Sequence, residues 1–232
     1  MITITNLHKT YGKKDNLFTA LAGVSLSVED GSTVSIIGKS GSGKSTLMHI
    51  MSGLDRPTSG TVTIDDINLF TMKQKAMDDF RATKMSFIFQ SFFVEANQTC
   101  YENVMLPLEI AKVPLPRRKQ LVMDALQAVE LESKASNLAA NLSGGQKQRL
   151  AIARAIVNKP RILFADEPTG NLDSTTGERI MNLLFGLNKS LDCTLILVTH
   201  DADLAARCET QVRLKDGSVE SVSTKPTKKQ VA

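Results

Sequence analysis

Apolar and polar positions alternate from the first residues, MITITNLHKT, with the two-residue period of a half-buried strand. Val24, Leu26 and Val28 then alternate with Ser25, Ser27 and Glu29, Gly31 interrupts, and Val34-Ser35-Ile36-Ile37 predicts a short buried strand. A Gly/Ser stretch, Gly38 to Gly43, follows directly. It leads into Lys44–Gly53, where Leu47, Ile50 and Met51 share one face of a helix. Beyond Thr58-Ser59-Gly60, Val62 and Ile64 mark a strand that turns at Asp65-Asp66, and Met85 to Phe89 predicts another.

From Gln90 to Pro160 the period becomes helical. Pro116 stands where a first-turn proline belongs, and Val122, Ala125 and Val129 line one face as far as Glu130. Ser143 is an N-cap candidate for a helix burying Leu150, Ala153, Ile156 and Val157. Strand and helix then alternate again: Ile162-Leu163-Phe164, a helix carrying Ile180, Leu183, Leu184 and Leu187, and the strand Leu195 to Val198. Asp216-Gly217 between Val212/Leu214 and Val219/Val222 is a hairpin signal. The order is an α/β half, a helical insertion and a second α/β half, which predicts a largely parallel sheet with its ligand at the carboxyl ends of the strands. The polar, lysine-rich tail after Ser223 is expected to be mobile.

Composition narrows the function classes. With 232 residues and 42% hydrophobic side chains, the chain can bury a sizeable core, and disorder is excluded. The net charge is +4, and Lys225, Lys228 and Lys229 in the tail supply most of it, so no general nucleic-acid surface is expected. The longest apolar runs, such as Leu195-Ile196-Leu197-Val198, fall far short of the ~20 residues of a membrane-spanning helix. The N-terminus lacks a signal-peptide pattern, which predicts a cytoplasmic protein. Cys100, Cys193 and Cys208 have no metal-site spacing and read as small core hydrophobes in a reducing compartment.

Gly38-Lys39-Ser40-Gly41-Ser42-Gly43-Lys44-Ser45 fits the phosphate-loop pattern G-x-x-x-x-G-K-[ST] at every fixed position. Glycines let successive N–H groups converge on phosphate oxygens at the positive end of the next helix. Lys44 is then the counter-charge for the β/γ-phosphates, Ser45 a Mg²⁺ ligand, and Thr46 a neighbour of the α-phosphate. The plain alternative is a flexible Gly/Ser loop. Ile162 to Ala165 forms an apolar strand ending in Asp166 and Glu167; Asp166 suits a Mg²⁺ hydration shell and Glu167 suits accepting a proton from attacking water. Capping of the following helix is the alternative for this acidic pair.

Leu142-Ser143-Gly144-Gly145-Gln146, followed by Lys147-Gln148-Arg149, resembles the signature motif of ATP-binding cassette (ABC) ATPases. Its physical content stands alone: Ser-Gly-Gly opening a helix offers N–H groups and a hydroxyl to an anion. The resemblance extends over nearly the whole chain. It implies that Tyr11 stacks on adenine, that Gln90 is the Q-loop glutamine near Mg²⁺, that Gly170-Asn171-Leu172-Asp173 is the D-loop with Asp173 at the nucleotide, and that His200 after Thr199 is the switch histidine. Ser52 to Gly60, Glu102 to Leu108 and Pro168 to Ser174 resemble the branch of lipoprotein-release, macrolide-export, FtsE cell-division and antimicrobial-peptide-resistance ATPases. Val94-Glu95-Ala96-Asn97-Gln98-Thr99-Cys100 departs from that branch, on the surface where it meets its membrane partner.

The resemblance implies an α/β P-loop NTPase core with a largely parallel sheet, an N-terminal antiparallel β portion and an inserted helical subdomain. The expected division is 1–89 with 157–223 as core, 90–156 as the helical signature subdomain and 224–232 as tail. It implies ATP hydrolysis with Mg²⁺, a head-to-tail homodimer in the ATP state, an integral membrane permease as partner, and a place on the inner face of the cell membrane. Two other functions compete: a soluble ABC ATPase serving cell division or nucleic acid, and a nucleotide-gated scaffold that does not depend on turnover. Phe92, Phe93 and Val94 either line the cleft for a permease helix or pack inside the helical part.

Overall fold

The computed structural model describes residues 1–13 and 16–225; most of the lysine-rich tail, with Lys228 and Lys229, lies outside the described residues. In chain order the elements are β1 (Ile2–Tyr11), β2 (Phe18–Val28), β3 (Thr33–Ile37), α1 (Lys44–Met51), β4 (Ser59–Ile64), β5 (Ile67–Asn68), α2 (Gln74–Lys84), β6 (Met85–Ile88), α3 (Cys100–Ile110) and α4 (Leu115–Ala128). Then come α5 (Gly144–Ile156), β7 (Ile162–Asp166), α6 (Ser174–Leu191), β8 (Thr194–Val198), α7 (Ala202–Arg207), β9 (Thr210–Lys215) and β10 (Ser218–Thr224). Packing divides the chain into two units, Met1–Met77 with the stretch from Thr194 onward, and Asp78–Cys193.

The first unit holds an antiparallel sheet of order β2-β1-β4-β5. Its alternating strands bury Ile2, Ile4, Leu7, Val24, Val62 and Ile64. In the same unit β3 pairs in parallel with both β8 and β9, and β10 returns antiparallel on β9 through the Asp216-Gly217 turn. Every residue of β3 and β8 is buried, as parallel strands covered on both faces require. Ile36 lies opposite Val198, so the chain leaves β3 and β8 at the same, carboxyl end of the strands, with Gly38 following one strand and Thr199-His200 the other. α1 takes its register from Leu47, Met48, Ile50 and Met51, all fully buried.

In the second unit β6 and β7 pair in parallel, Ile88 opposite Ala165, and the Phe87 and Phe164 rings stack 5.2 Å apart. The helical insertion contains α3, α4 and α5, packed on one another. Thr99 opens α3 with a reciprocal capping box to Glu102, Pro116 lies in the first turn of α4, and Ser143 opens α5. α2 is not among the elements expected from the sequence; it buries a single residue, Met77.

All three cysteines are free and buried, and burial pushes the Cys193 and Cys208 thiols up to about 11, as expected of core hydrophobes. No helix of the described residues is long and apolar enough to cross a membrane.

Candidate active site

Gly38 to Gly43 leaves the carboxyl end of β3 and turns straight into α1. Gly43 makes that turn at φ 97°, where an added Cβ would lie 2.5 Å from the Ala20 carbonyl oxygen. The loop closes on itself through the Ser42 N–H, which donates to the Lys39 carbonyl at 3.1 Å. Lys44 reaches back over it, its Nζ donating to the carbonyls of Gly38 and Lys39, both at 3.0 Å. The N–H groups of Lys44, Ser45 and Thr46 form the first turn of α1, where helical partners do not exist. Ser42 Oγ is buried without a hydrogen-bond partner from the protein, a position costly to leave unmatched. Phosphate oxygens fit this loop: they match the orphan hydroxyl, the first-turn N–H groups and the ammonium together.

Tyr11 ends β1 in the same unit. Its hydroxyl donates to Asp55 Oδ2 at 2.6 Å, while Lys9 Nζ donates to Asp55 Oδ1 at 2.7 Å and lies 4.6 Å from the Tyr11 ring centroid. Partial burial and the Asp55 bond raise the Tyr11 pKa, the nearby Thr46 hydroxyl opposing them; at Asp55 the bonds from Lys9 and Tyr11 outweigh burial and hold the carboxyl below its ordinary value. His200 is exposed at the end of β8, beside buried Thr199, whose hydroxyl accepts from the Asp201 N–H at 3.0 Å. Asp201 in turn caps α7.

Gln90, Asp166 and Glu167 belong to the second unit, at the carboxyl ends of the paired β6 and β7. Glu167 adopts φ 45°, a left-handed conformation that costs a non-glycine residue about 1–2 kcal/mol. A turn holds it there, the Gly170 N–H donating to the Glu167 carbonyl at 3.0 Å. Gln90 packs on Gly170 so closely that a Cβ there would lie 2.8 Å from Gln90 Nε2, and Asn171 Nδ2 donates to the Gln90 carbonyl at 2.9 Å. The glutamine and the D-loop are thus one contact.

The signature residues also lie in the second unit. Ser143 Oγ accepts from the Gln146 N–H at 3.4 Å and Gln146 Oε1 accepts from the Ser143 N–H at 3.0 Å, so Ser143 is a cap. Capping leaves the N–H groups of Gly144 and Gly145 to the helix start. Gly145 approaches Thr176 of α6 closely enough that a Cβ would lie 2.6 Å from its methyl group. Asp173 caps α6, accepting from the Thr176 N–H at 3.0 Å, and those bonds hold its carboxyl below the usual range. Ser143 to Gln146, Asn171, Leu172 and Asp173 line one cleft of about 780 Å³, with Arg149 and Arg179 also on its wall.

Several residues of this framework carry no local sequence signal. Gln148, fully buried on α5, donates to the Pro168 carbonyl at 2.6 Å. Arg154 donates to the carbonyls of Phe93 at 2.7 Å and Phe92 at 3.3 Å. Buried Asn103 donates to the carbonyls of Glu95 and Thr99 and accepts from the Glu95 N–H at 2.8 Å, which pins the unusual 94–100 segment on α3. Phe92 and Val94 are half-buried there, but Phe93 is 65% exposed, its ring edge-on to Phe89 at 5.5 Å. The packing alternative therefore fails for Phe93 in the isolated chain.

Among the described residues no cluster of three or more His, Cys, Asp or Glu side chains could hold a metal. Mg²⁺ does not need one, since it commonly takes one or two protein oxygens besides water and substrate phosphates. The Ser45 hydroxyl, Gln90 amide oxygen and Asp166 carboxylate are hard donors of that kind.

A phosphate loop between a parallel strand and a helix defines a P-loop nucleotide-binding protein. The family model described as "ABC transporter" matches residues 21–170. Over 219 residues the chain is 45% identical to the lipoprotein-releasing system ATP-binding protein LolD of Syntrophotalea carbinolica, covering 94% of this chain and 96% of that protein. It is 41% identical over 220 residues to the uncharacterized ABC transporter ATP-binding protein YbbA of Escherichia coli K12, covering 95% and 96%. A solved structure of the ATP-binding cassette MJ0796, a dimer in a post-hydrolysis state bound to ADP and Pi, matches with a TM-score of 0.87 at 41% identity, covering 97% of this chain and 98% of that one. The chain belongs to the ABC transporter family and is an ATP-binding ABC ATPase, with that family's α/β fold of antiparallel sheet, mostly parallel core sheet and helical subdomain.

Proposed function

We propose that this chain is the ATP-hydrolysing subunit of a bacterial ABC transporter or mechanotransmission complex, and that it drives a separate membrane permease by dimerising around ATP. The observation that carries the reading is the cleft of the second unit. There a helix start whose Gly144 and Gly145 N–H groups the Ser143–Gln146 capping box leaves unpaired shares a wall with the D-loop. An anion-binding helix start needs an anion, and a second copy of the chain supplies one as its bound ATP.

In this reading Gly38 to Thr46 wraps the phosphates, Lys44 offsets their charge, and Tyr11 stacks on the adenine. Ser143, Gly144, Gly145, Gln146 and Asp173 meet the partner's nucleotide. Ser45, Gln90 and Asp166 would hold Mg²⁺, directly or through water, and the cation would supply positive charge to offset that of the phosphates. Glu167 accepts the proton of the attacking water, and His200 hydrogen-bonds the transferred phosphoryl group. Positioning and electrostatics carry such a reaction, with little covalent chemistry from the protein. The relatives' names, ATP-binding protein of a lipoprotein-releasing system, support a place as the ATP-binding part of a larger system; in this reading its partner is a membrane permease and its place the inner face of the cell membrane. Exposed Phe93 supports a docking surface for its cytoplasmic helix, and the modest net charge favours a protein partner over nucleic acid.

Glu167→Gln tests the chemistry. A neutral amide positions water and cannot take its proton, so ATP binding should persist while turnover falls by about 10²–10⁴. Near-normal turnover in the purified variant refutes Glu167 as the base.

A further inference from the structure

Tyr11 does not stand at the nucleotide site as a free aromatic side chain. One carboxylate holds its hydroxyl: Asp55 accepts from Tyr11 at 2.6 Å through Oδ2, and through Oδ1 from Lys9 Nζ and from the Arg56 N–H, both at 2.7 Å. Lys9 also donates to the Arg56 carbonyl at 2.6 Å and is only 12% exposed. With its ammonium 4.6 Å from the ring centroid, Lys9 occupies the neighbourhood of the ring while Tyr11 remains 40% exposed. The Asp55 segment is itself fastened to the phosphate-loop helix, since the N–H groups of Leu54 and Asp55 donate to the His49 carbonyl on α1 at 2.8 and 3.1 Å. Along β1 the Thr10 N–H donates to Thr58 Oγ1 and the Thr58 N–H to the His8 carbonyl. The ring is therefore placed by bonds that lead back to the helix whose first turn faces the phosphates.

We propose that Asp55 and Lys9 are positioning residues for ATP: they set the Tyr11 ring at a fixed place relative to the phosphate loop, with Lys9 against the ring and the open ring surface left for the purine. The inference rests on Tyr11 as the adenine platform. It adds why the platform is ready before ATP arrives. A phenol and a lysine stem each lose rotamer freedom on ordering, and here the fold has already ordered them. Ring geometry then favours base-bearing ligands over bare polyphosphate, which touches the loop alone.

Four variants separate the possibilities: Asp55→Asn, Lys9→Met, Tyr11→Phe, which keeps the ring and loses the hydroxyl, and Tyr11→Ala. The KM for ATP and kcat are read from steady-state hydrolysis, and the affinity for inorganic tripolyphosphate from calorimetry. Asp55→Asn, Lys9→Met and Tyr11→Phe should each raise the KM for ATP roughly tenfold, the scale of one charge-assisted hydrogen bond. The kcat and the tripolyphosphate affinity should stay within about twofold, and Asp55→Asn should add nothing in the Tyr11→Ala background. If tripolyphosphate weakens in parallel with ATP, Asp55 merely supports α1 and the proposal falls. If Tyr11→Ala weakens ATP but Asp55→Asn and Tyr11→Phe do not, stacking stands and positioning is wrong. If Tyr11→Ala leaves the KM unchanged, the stacking reading fails first. Tyr11→Phe deletes a single hydroxyl, so it carries the test even if Asp55→Asn does not fold.

Discussion

The side-chain amide of Gln148 donates to the carbonyl oxygen of Pro168 across 2.6 Å, with the glutamine fully buried. Gln148 is one turn into the signature helix, and Pro168 directly follows Glu167 at its φ of 45°. The bond ties the helix that opens on Ser143 to the peptide that sets the direction of the proposed base. Strained backbone of this kind persists where neighbours over-determine it, and here the Gly170 N–H supplies the second restraint.

Gln148→Leu should therefore destabilise the protein by about 1–3 kcal/mol, because it leaves the Pro168 carbonyl without its donor in a buried place. Urea unfolding followed by circular dichroism measures this. A midpoint unchanged from the parent would mean that the bond contributes nothing.

Lys44→Ala should lose ATP affinity as well as rate. The ammonium offsets phosphate charge in the bound ground state, so binding should weaken by about ten- to a hundredfold and turnover should fall further. Calorimetry with ATP decides the point; an unchanged affinity would mean that the loop is not a phosphate site.

Much of this architecture is legible along the chain because its constraints are local. The turn at Gly43 and the capping box at Ser143 each need particular residue types within a few positions, and both stand where the pattern predicts. The buried β3, β7 and β8 announce themselves as short apolar runs. α2 escapes because its apolar face is short, with Met77 buried and Phe80 half-buried among charged neighbours. Gln148 with Pro168, Arg154 with Phe92 and Phe93, and Tyr11 with Asp55 escape for another reason. Their partners lie 20, 62 and 61, and 44 positions apart, and a polar side chain that finds a distant carbonyl or carboxylate leaves no period in the sequence.

Phe93→Asp should leave the basal ATPase of the isolated chain largely intact, since the side chain is 65% exposed and Arg154 holds its backbone rather than its ring. Capture of the membrane permease and stimulation by it should be lost, as a charge is placed on an apolar contact surface. Pull-down of the permease from detergent extract gives the answer, with unchanged capture counting against the docking surface.

The account depends most on the sandwich of two chains about ATP, and the oligomeric state of Glu167→Gln tests it most directly. Light scattering coupled to sizing should find a dimer in saturating ATP, and a monomer both without nucleotide and when Ser143→Arg is added, because the arginine places bulk where the shared phosphate must sit. The same dimer with and without Ser143→Arg in ATP would contradict the proposed assembly.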